Sequence, residues 1–275
     1  MAYMLSHLEL GRRVRAQIDP EKDRDDSLFL LGCLGPDVFF YDRFPPPLFR
    51  RHEKKLGNAF HNLDAADWFV CSRDARLCVP YICGMLCHFA LDATVHPYIE
   101  SQATGTDHSR FEAAIDSLLL PAFANPARPL AGLPPVAAIA PVDAFWEETS
   151  AALFGKQVKG VFTRSYRNFL TTAKLLFDPS GRKTRFVRIL DFGARGRLSG
   201  FFVSPGRADE DDCLNEKHRD WAPPWALGDL HSTSFCELFE IALKEAVALV
   251  RLYLDEDADA VARALTRRSM QRGKL

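Results

Sequence analysis

The stretch YICGMLCHFALDATVHPYI, Tyr81 to Ile99, constrains this chain more than any other. It is almost wholly apolar, yet His88, Asp92 and His96 recur in it at steps of four. On a helix each step of four advances about 40°, so the three side chains share one narrow arc. The other positions, among them Ile82, Met85, Leu86, Phe89, Leu91 and Val95, are apolar all round, and such a helix is a buried one. A carboxylate there is strongly unfavourable without a partner. The stretch offers no Lys or Arg. A divalent cation would resolve the conflict, because zinc accepts imidazole and carboxylate ligands. A neutral Asp92 hydrogen-bonded to the two histidines is the alternative.

The rest of the chain supports a helical, globular reading. Hydrophobic residues make up 47% and charged residues 26% of 275, which excludes a disordered chain. The seven cysteines are an odd, scattered set without a C-x2-C pair, as befits reduced thiols rather than a disulfide framework or zinc ribbon. A net charge of −1 argues against a nucleic-acid partner held by bulk electrostatics. The N-terminus shows no basic region followed by an apolar one, and no apolar run reaches membrane-spanning length. The expectation is therefore a soluble cytoplasmic protein.

Helices are expected over Ser6 to Ile18, Ser27 to Leu34, Arg51 to Trp68, the central stretch, the segment after Asp107, Val142 to Phe177 with breaks at Gly155 and Gly160, and Ser234 to Leu254. Lys183 to Phe202 reads as helix, and the tail after Asp259 as a short solvated helix. Ser6 and Glu9 have capping-box spacing and place His7 in a first turn, as either a site residue or a surface one. Asp37 follows the helix stop Gly35-Pro36, as either a cap or a site residue. His52 and His61 fall on opposite faces of their helix. His52 shares a face with Leu56, Ala59 and Leu63 and should point to the core, whereas His61 lies beside Lys54 and Asp64 and should point to water. His108 and Glu112 are again four apart, either a surface pair or two ligands. Phe39, Phe40, Tyr41, Phe44, Phe49 and the triple proline would form either an apolar lip for substrate or ordinary core. His218, Trp221 and Trp225, in a proline-broken loop, would form either a groove wall or packing beneath the loop.

Taken together, LGCLGPDVFFYD, RHEKKLGNAF, GMLCHFALDATVHPYIE and HSRFE resemble the zinc-dependent phospholipase C family, which is related to the S1/P1 nucleases. The resemblance is to a bacterial branch without a signal peptide, and its specific motifs cover roughly residues 1 to 120. It implies an all-α fold with a metal site at the floor of a cleft. The expected organisation is a single domain over residues 1–275, with helices of 142–254 completing the bundle and 255–275 as a tail. By resemblance, Asp37, His52, His88 and Asp92 would hold one zinc, His7 and Asp92 a second, and His96, His108 and Glu112 a third, giving two to three ions with Asp92 as bridge. Two departures stand out. The secreted enzymes space the last two central ligands as D-x5-H rather than D-x3-H, and they use an N-terminal Trp that this sequence lacks, so the ion held by His7 is the least secure.

The expected activity is hydrolysis of a phosphoric ester, most of all phospholipase C-like cleavage of a phosphodiester. Zinc would offset phosphate charge and lower the pKa of bound water towards ~7. Asp37 is the expected base, and Phe40, Tyr41, His218 and Trp221 are expected to bind substrate. A phospholipid substrate would bring transient contact with a membrane surface. A nuclease or small-molecule phosphatase would use the same cluster, and a non-enzymatic zinc-stabilised helical protein would fill every coordination position from the chain.

Overall fold

The computed structural model describes residues 4–19, 26–42, 54–74, 79–156, 158–191, 198–205 and 211–274. They are all-α apart from one small hairpin near the C-terminus. The axis is α5, Val79–Gln102, preceded by α1 (Met4–Ile18), α2 (Ser27–Cys33), α3 (Lys54–Asn62) and α4 (Ala65–Asp74). It is followed by α6 (Thr106–Leu119), α7 (Ala140–Phe154), α8 (Val161–Leu176), α9 (Arg182–Leu190), α10 (Phe235–Leu254) and α11 (Ala258–Leu265). Nearly every side chain of α5 from Tyr81 to Ile99 is buried, as a uniformly apolar helix requires. Its two main neighbours are α2 and α10, and α1, α6 and the C-terminal hairpin cover much of the remainder.

Two glycines let α2 and α5 meet backbone to backbone. A Cβ on Gly32 would stand 2.1 Å from the Tyr81 carbonyl oxygen, and one on Gly84 would stand 2.1 Å from that of Phe29. Gly35-Pro36 then ends α2 and starts a 3-10 turn, Gly35–Tyr41, that carries Asp37. Ser234 and Glu237 form a complete capping box that opens α10. Ser6 and Glu9 do not form one, because α1 begins at Met4 and both residues lie inside it. Ser6 instead bonds to Asp116, and Glu9 accepts from Arg13 and from the Ala124 N–H.

Of the aromatic residues after Asp37, Phe39 and Tyr41 belong to the core, and Phe40 is half-buried. Phe39 packs edge-on to Trp146 at 5.1 Å and to Phe162 at 5.5 Å between ring centroids. Tyr41 is buried edge-on against Phe169 at 5.1 Å. These positions therefore do not make an exposed lip, since the 3-10 turn directs them towards α7 and α8. Phe44, Phe49 and the triple proline lie outside the described residues.

The tail also departs from expectation. Val261 and Leu265 of α11 are buried, and a two-stranded antiparallel hairpin follows, β1 (Arg268–Ser269) and β2 (Gly273–Lys274). The segment packs against α5 instead of being solvated. Pro97 sits inside α5 rather than ending it. Among the described residues no helix is long and apolar enough to cross a membrane.

Candidate metal centre

Two groups of donor atoms converge on the middle and C-terminal part of α5. Asp37, His61, His88 and Asp92 form one, all buried, and His96, His108 and Glu112 form the other. Within each group the donor atoms lie within 4.8 Å of one another. His61 Nε2 is 2.9 Å from Asp37 Oδ1 and 3.3 Å from Asp92 Oδ2, and His88 Nε2 is 3.0 Å from the same Asp92 oxygen. Two zinc bonds of about 2.0–2.1 Å at a tetrahedral angle hold their donors about 3.3 Å apart, so this spacing fits the ion.

The orientation of the histidines is as informative as their spacing. His61 Nδ1 donates to Gly57 O at 2.7 Å, His88 Nδ1 to Cys33 O at 3.1 Å and His96 Nδ1 to Met270 O at 2.9 Å. A carbonyl only accepts, so each Nδ1 carries a proton, and in the neutral ring that a metal binds the Nε2 lone pair would point inward. His108 Nδ1 faces Glu100 Oε1 at 3.3 Å while its Nε2 is 2.9 Å from Glu112 Oε1. Such outward anchoring of Nδ1 is what metal-binding imidazoles have. Nε2 of His61 and of His88 are buried and have no aligned hydrogen-bond acceptor among the described residues, despite the nearby carboxylates. Both are poised as donors to a cation.

Asp92 lies between the groups. Its Oδ2 faces His61 and His88, and its Oδ1 is 3.1 Å from His7 Nε2 and 3.7 Å from His96 Nε2. His7 is buried, with its ring stacked on His88 at 4.3 Å. Gly35 allows the chain to pass that close to His88, since its φ is +49° and a Cβ there would lie 2.6 Å from the imidazole.

The electrostatics favour positive charge. Burial alone would raise the Asp92 and Asp37 carboxyls, but the surrounding histidines outweigh it, so both lie below the usual carboxylate range, Asp92 well below. Burial lowers His61, yet the polar contact and charge of Asp37 and Asp92 lift it to about 10. Burial also opposes the proton on His108, while Glu112 and Glu100 raise it to about 10. Burial and the charge of His88 hold His7 below its ordinary value, which favours a neutral imidazole.

The expected site residues fare unevenly. Asp37, His7, His88, Asp92, His96, His108 and Glu112 are brought together as described. His52 lies outside the described residues. His61, expected to face water, is 3% exposed and stands with Asp37, His88 and Asp92. The reason is a break at Leu63-Asp64, which places Asp64 beyond the end of α3 and voids the helical face it was thought to share with His61. Gly57 on that same helix supplies the carbonyl for His61, a partner visible in sequence as an i−4 neighbour. Among the expected substrate contacts, Phe40 is half-buried with its ring 5.2 Å from His61, and Tyr41 is core. Trp221 packs beneath its loop against Tyr98 at 5.3 Å and donates to Thr233 O, so it does not wall a groove. His218 is exposed and donates to Ser232 O.

A family model described as zinc dependent phospholipase C matches residues 6–162. The chain belongs to the zinc-dependent phospholipase C family. The matched segment includes every donor of both groups. As a member of this family the chain falls among metal-dependent phosphoric ester hydrolases, and zinc is the ion that its two donor sets fit. No curated protein matches the chain, and no solved structure does.

Proposed function

We propose that the chain is a zinc-dependent phosphodiesterase of the phospholipase C type. Asp37, His61, His88 and Asp92 would hold one ion, and His96, His108 and Glu112 another. His7 with Asp92 offers a partial third position. The observation that carries the reading is the convergence of Asp37, His61, His88 and Asp92 with each imidazole anchored outward at Nδ1. Zinc, when bound, supplies Lewis acidity for phosphate oxygens and a lowered pKa for coordinated water.

The two groups suggest different roles. Four protein donors close a tetrahedral site, whereas three leave a position open, the usual division between structural and catalytic zinc. The three-donor group includes His108, the most exposed of the donors, so substrate would approach from that side. This favours a hydrolase over a purely structural metal domain. Asp37, expected from the sequence as the base, stays ionised and would serve as a donor of the closed group, anchoring that ion rather than accepting the proton of the attacking water.

For a phospholipid substrate the contact surface would be α9 rather than the aromatic segment after Asp37. Phe186, Ile189 and Leu190 are 63%, 72% and 68% exposed, and Arg182, Lys183, Arg185 and Arg188 stand among them without an acidic residue. Exposed apolar side chains on a cationic helix suit an anionic bilayer surface.

The test is metal content measured alongside hydrolysis of an aryl phosphodiester in wild type and Asp92→Asn. Zinc and activity should fall together. Full activity in metal-free wild type would remove the reading. Hydrolysis of mixed phosphatidylcholine and phosphatidylglycerol vesicles set against single-stranded DNA would separate the lipid enzyme from a nuclease.

A further inference from the structure

The last hairpin touches the histidines of both donor groups, although it lies beyond the segment matched to the family. Met270 O accepts the His96 Nδ1 proton at 2.9 Å. The Gln271 N–H donates to His61 O at 3.0 Å. Gln271 Nε2 donates to Glu100 Oε1 at 2.6 Å, and that same oxygen is 3.3 Å from His108 Nδ1. Three of the candidate ligands are thus reached from two adjacent residues of one turn.

The turn is itself held firmly. Its strands pair Arg268 with Lys274 and Ser269 with Gly273. Met270 and Ser269 are buried. The Arg268 guanidinium lies 5.0 Å over the Phe89 ring and pairs with Glu245 of α10. The Arg267 N–H donates to Asp64 Oδ2 at 2.7 Å, which ties the hairpin to the junction of α3 and α4 just beyond His61. On the α5 side, a Cβ on Gly273 would lie 2.7 Å from Ala93 O. That carbonyl is the one a residue at position 97 would ordinarily bond, and Pro97 has no N–H to offer.

We infer that the turn Ser269–Arg272 is a positioning element for the His96, His108 and Glu112 group, with Gln271 its principal side chain. The inference rests on the metal reading proposed above. Met270 O fixes the tautomer and ring angle of His96. Gln271 fixes Glu100, and Glu100 fixes His108, so a hydrogen-bond relay from the hairpin orients two of the three donors in the more exposed group. Gln271 touches no substrate and no ligand nitrogen; it acts through Glu100.

The test uses the full chain with Gln271→Leu, Gln271→Lys and Glu100→Gln. Zinc affinity is read by chelator competition for the tighter and weaker equivalents, and coordination by the visible spectrum of the cobalt-substituted protein. Loss of an outer partner typically weakens a metal site about 10–100-fold. Q271L should weaken one equivalent by about that factor and shift its cobalt bands, while the Asp37 group keeps its ion. Q271K, whose ammonium can still donate to Glu100, should restore much of the loss, and E100Q should reproduce the Q271L pattern. Melting of the chelated proteins guards against a folding defect, since a merely structural hairpin would lower the melting temperature and loosen both equivalents alike. That outcome overturns the inference, as do unchanged affinity and bands in Q271L and E100Q. A wild-type chain that takes up no zinc overturns the metal reading itself and the inference with it.

Discussion

Ser6 Oγ donates to Asp116 Oδ1 at 2.7 Å, across the contact between α1 and α6. The same carboxylate accepts the Leu5 and Ser6 N–H groups at 3.0 and 2.9 Å. Asp116 therefore caps the first turn of α1 from another helix, directly beside His7. Replacing it with Ala leaves those first-turn donors buried without the carboxylate. D116A should cost about 2–4 kcal/mol, measured by urea unfolding of chelated protein.

Asp116 also gives the fold a pH dependence. Burial pushes its carboxyl up from 3.8 to about 7; the Ser6 and Leu5 hydrogen bonds oppose this, and the charge of Glu112 adds to it. Its folded pKa exceeds the unfolded one, so protonation favours the fold. That contribution is complete below about pH 4 and is lost as pH rises through about 7. The stability of wild type relative to D116N should therefore rise as pH falls across this window. Paired thermal melts of chelated protein check it, and a pH-independent difference would contradict the assignment.

The competition between His52 and His61 has a direct outcome. The four-donor group is complete with His61, so H61Q should lose that ion while H52Q should keep it. Elemental analysis of the two variants purified without chelator decides it. Loss of metal in H52Q alone would restore the reading drawn from the sequence.

The exposed face of α9 predicts a lipid preference. Wild type should sediment with vesicles of mixed phosphatidylcholine and phosphatidylglycerol and much less with phosphatidylcholine alone. The double change Phe186→Ser and Ile189→Ser should reduce that binding at least several-fold, with turnover of a soluble aryl phosphodiester unchanged. Equal sedimentation of the variant would exclude this face.

Much of the donor set was legible because α5 states its own problem. An apolar helix that carries His88, Asp92 and His96 on one arc has few physical solutions, and the spacing alone places those side chains. Asp37 was legible as a polar residue just past a helix stop. His61 was not, because a face argument needs the helix to continue, and α3 ends at Asn62. Tyr41 and Phe39 were ambiguous for a different reason: an aromatic residue after a glycine-proline stop has the same pattern whether it lines a lip or fills a core, and Trp146 and Phe169, far along the chain, decide between them. The hairpin was invisible because two-residue strands leave no periodicity, and its hold on His96 passes through a backbone carbonyl that no side chain advertises.

The contact between Gly32 and Gly84 sets a condition on any attempt to transplant this centre. Asp37 reaches His61 because the short helix before it rests on α5 with nothing interposed. A designer who copied the seven clustered donors onto another scaffold, but allowed a methyl group at either glycine, would lift that helix and withdraw one carboxylate from the cage. The recipe for the site thus includes two positions whose whole contribution is to be empty.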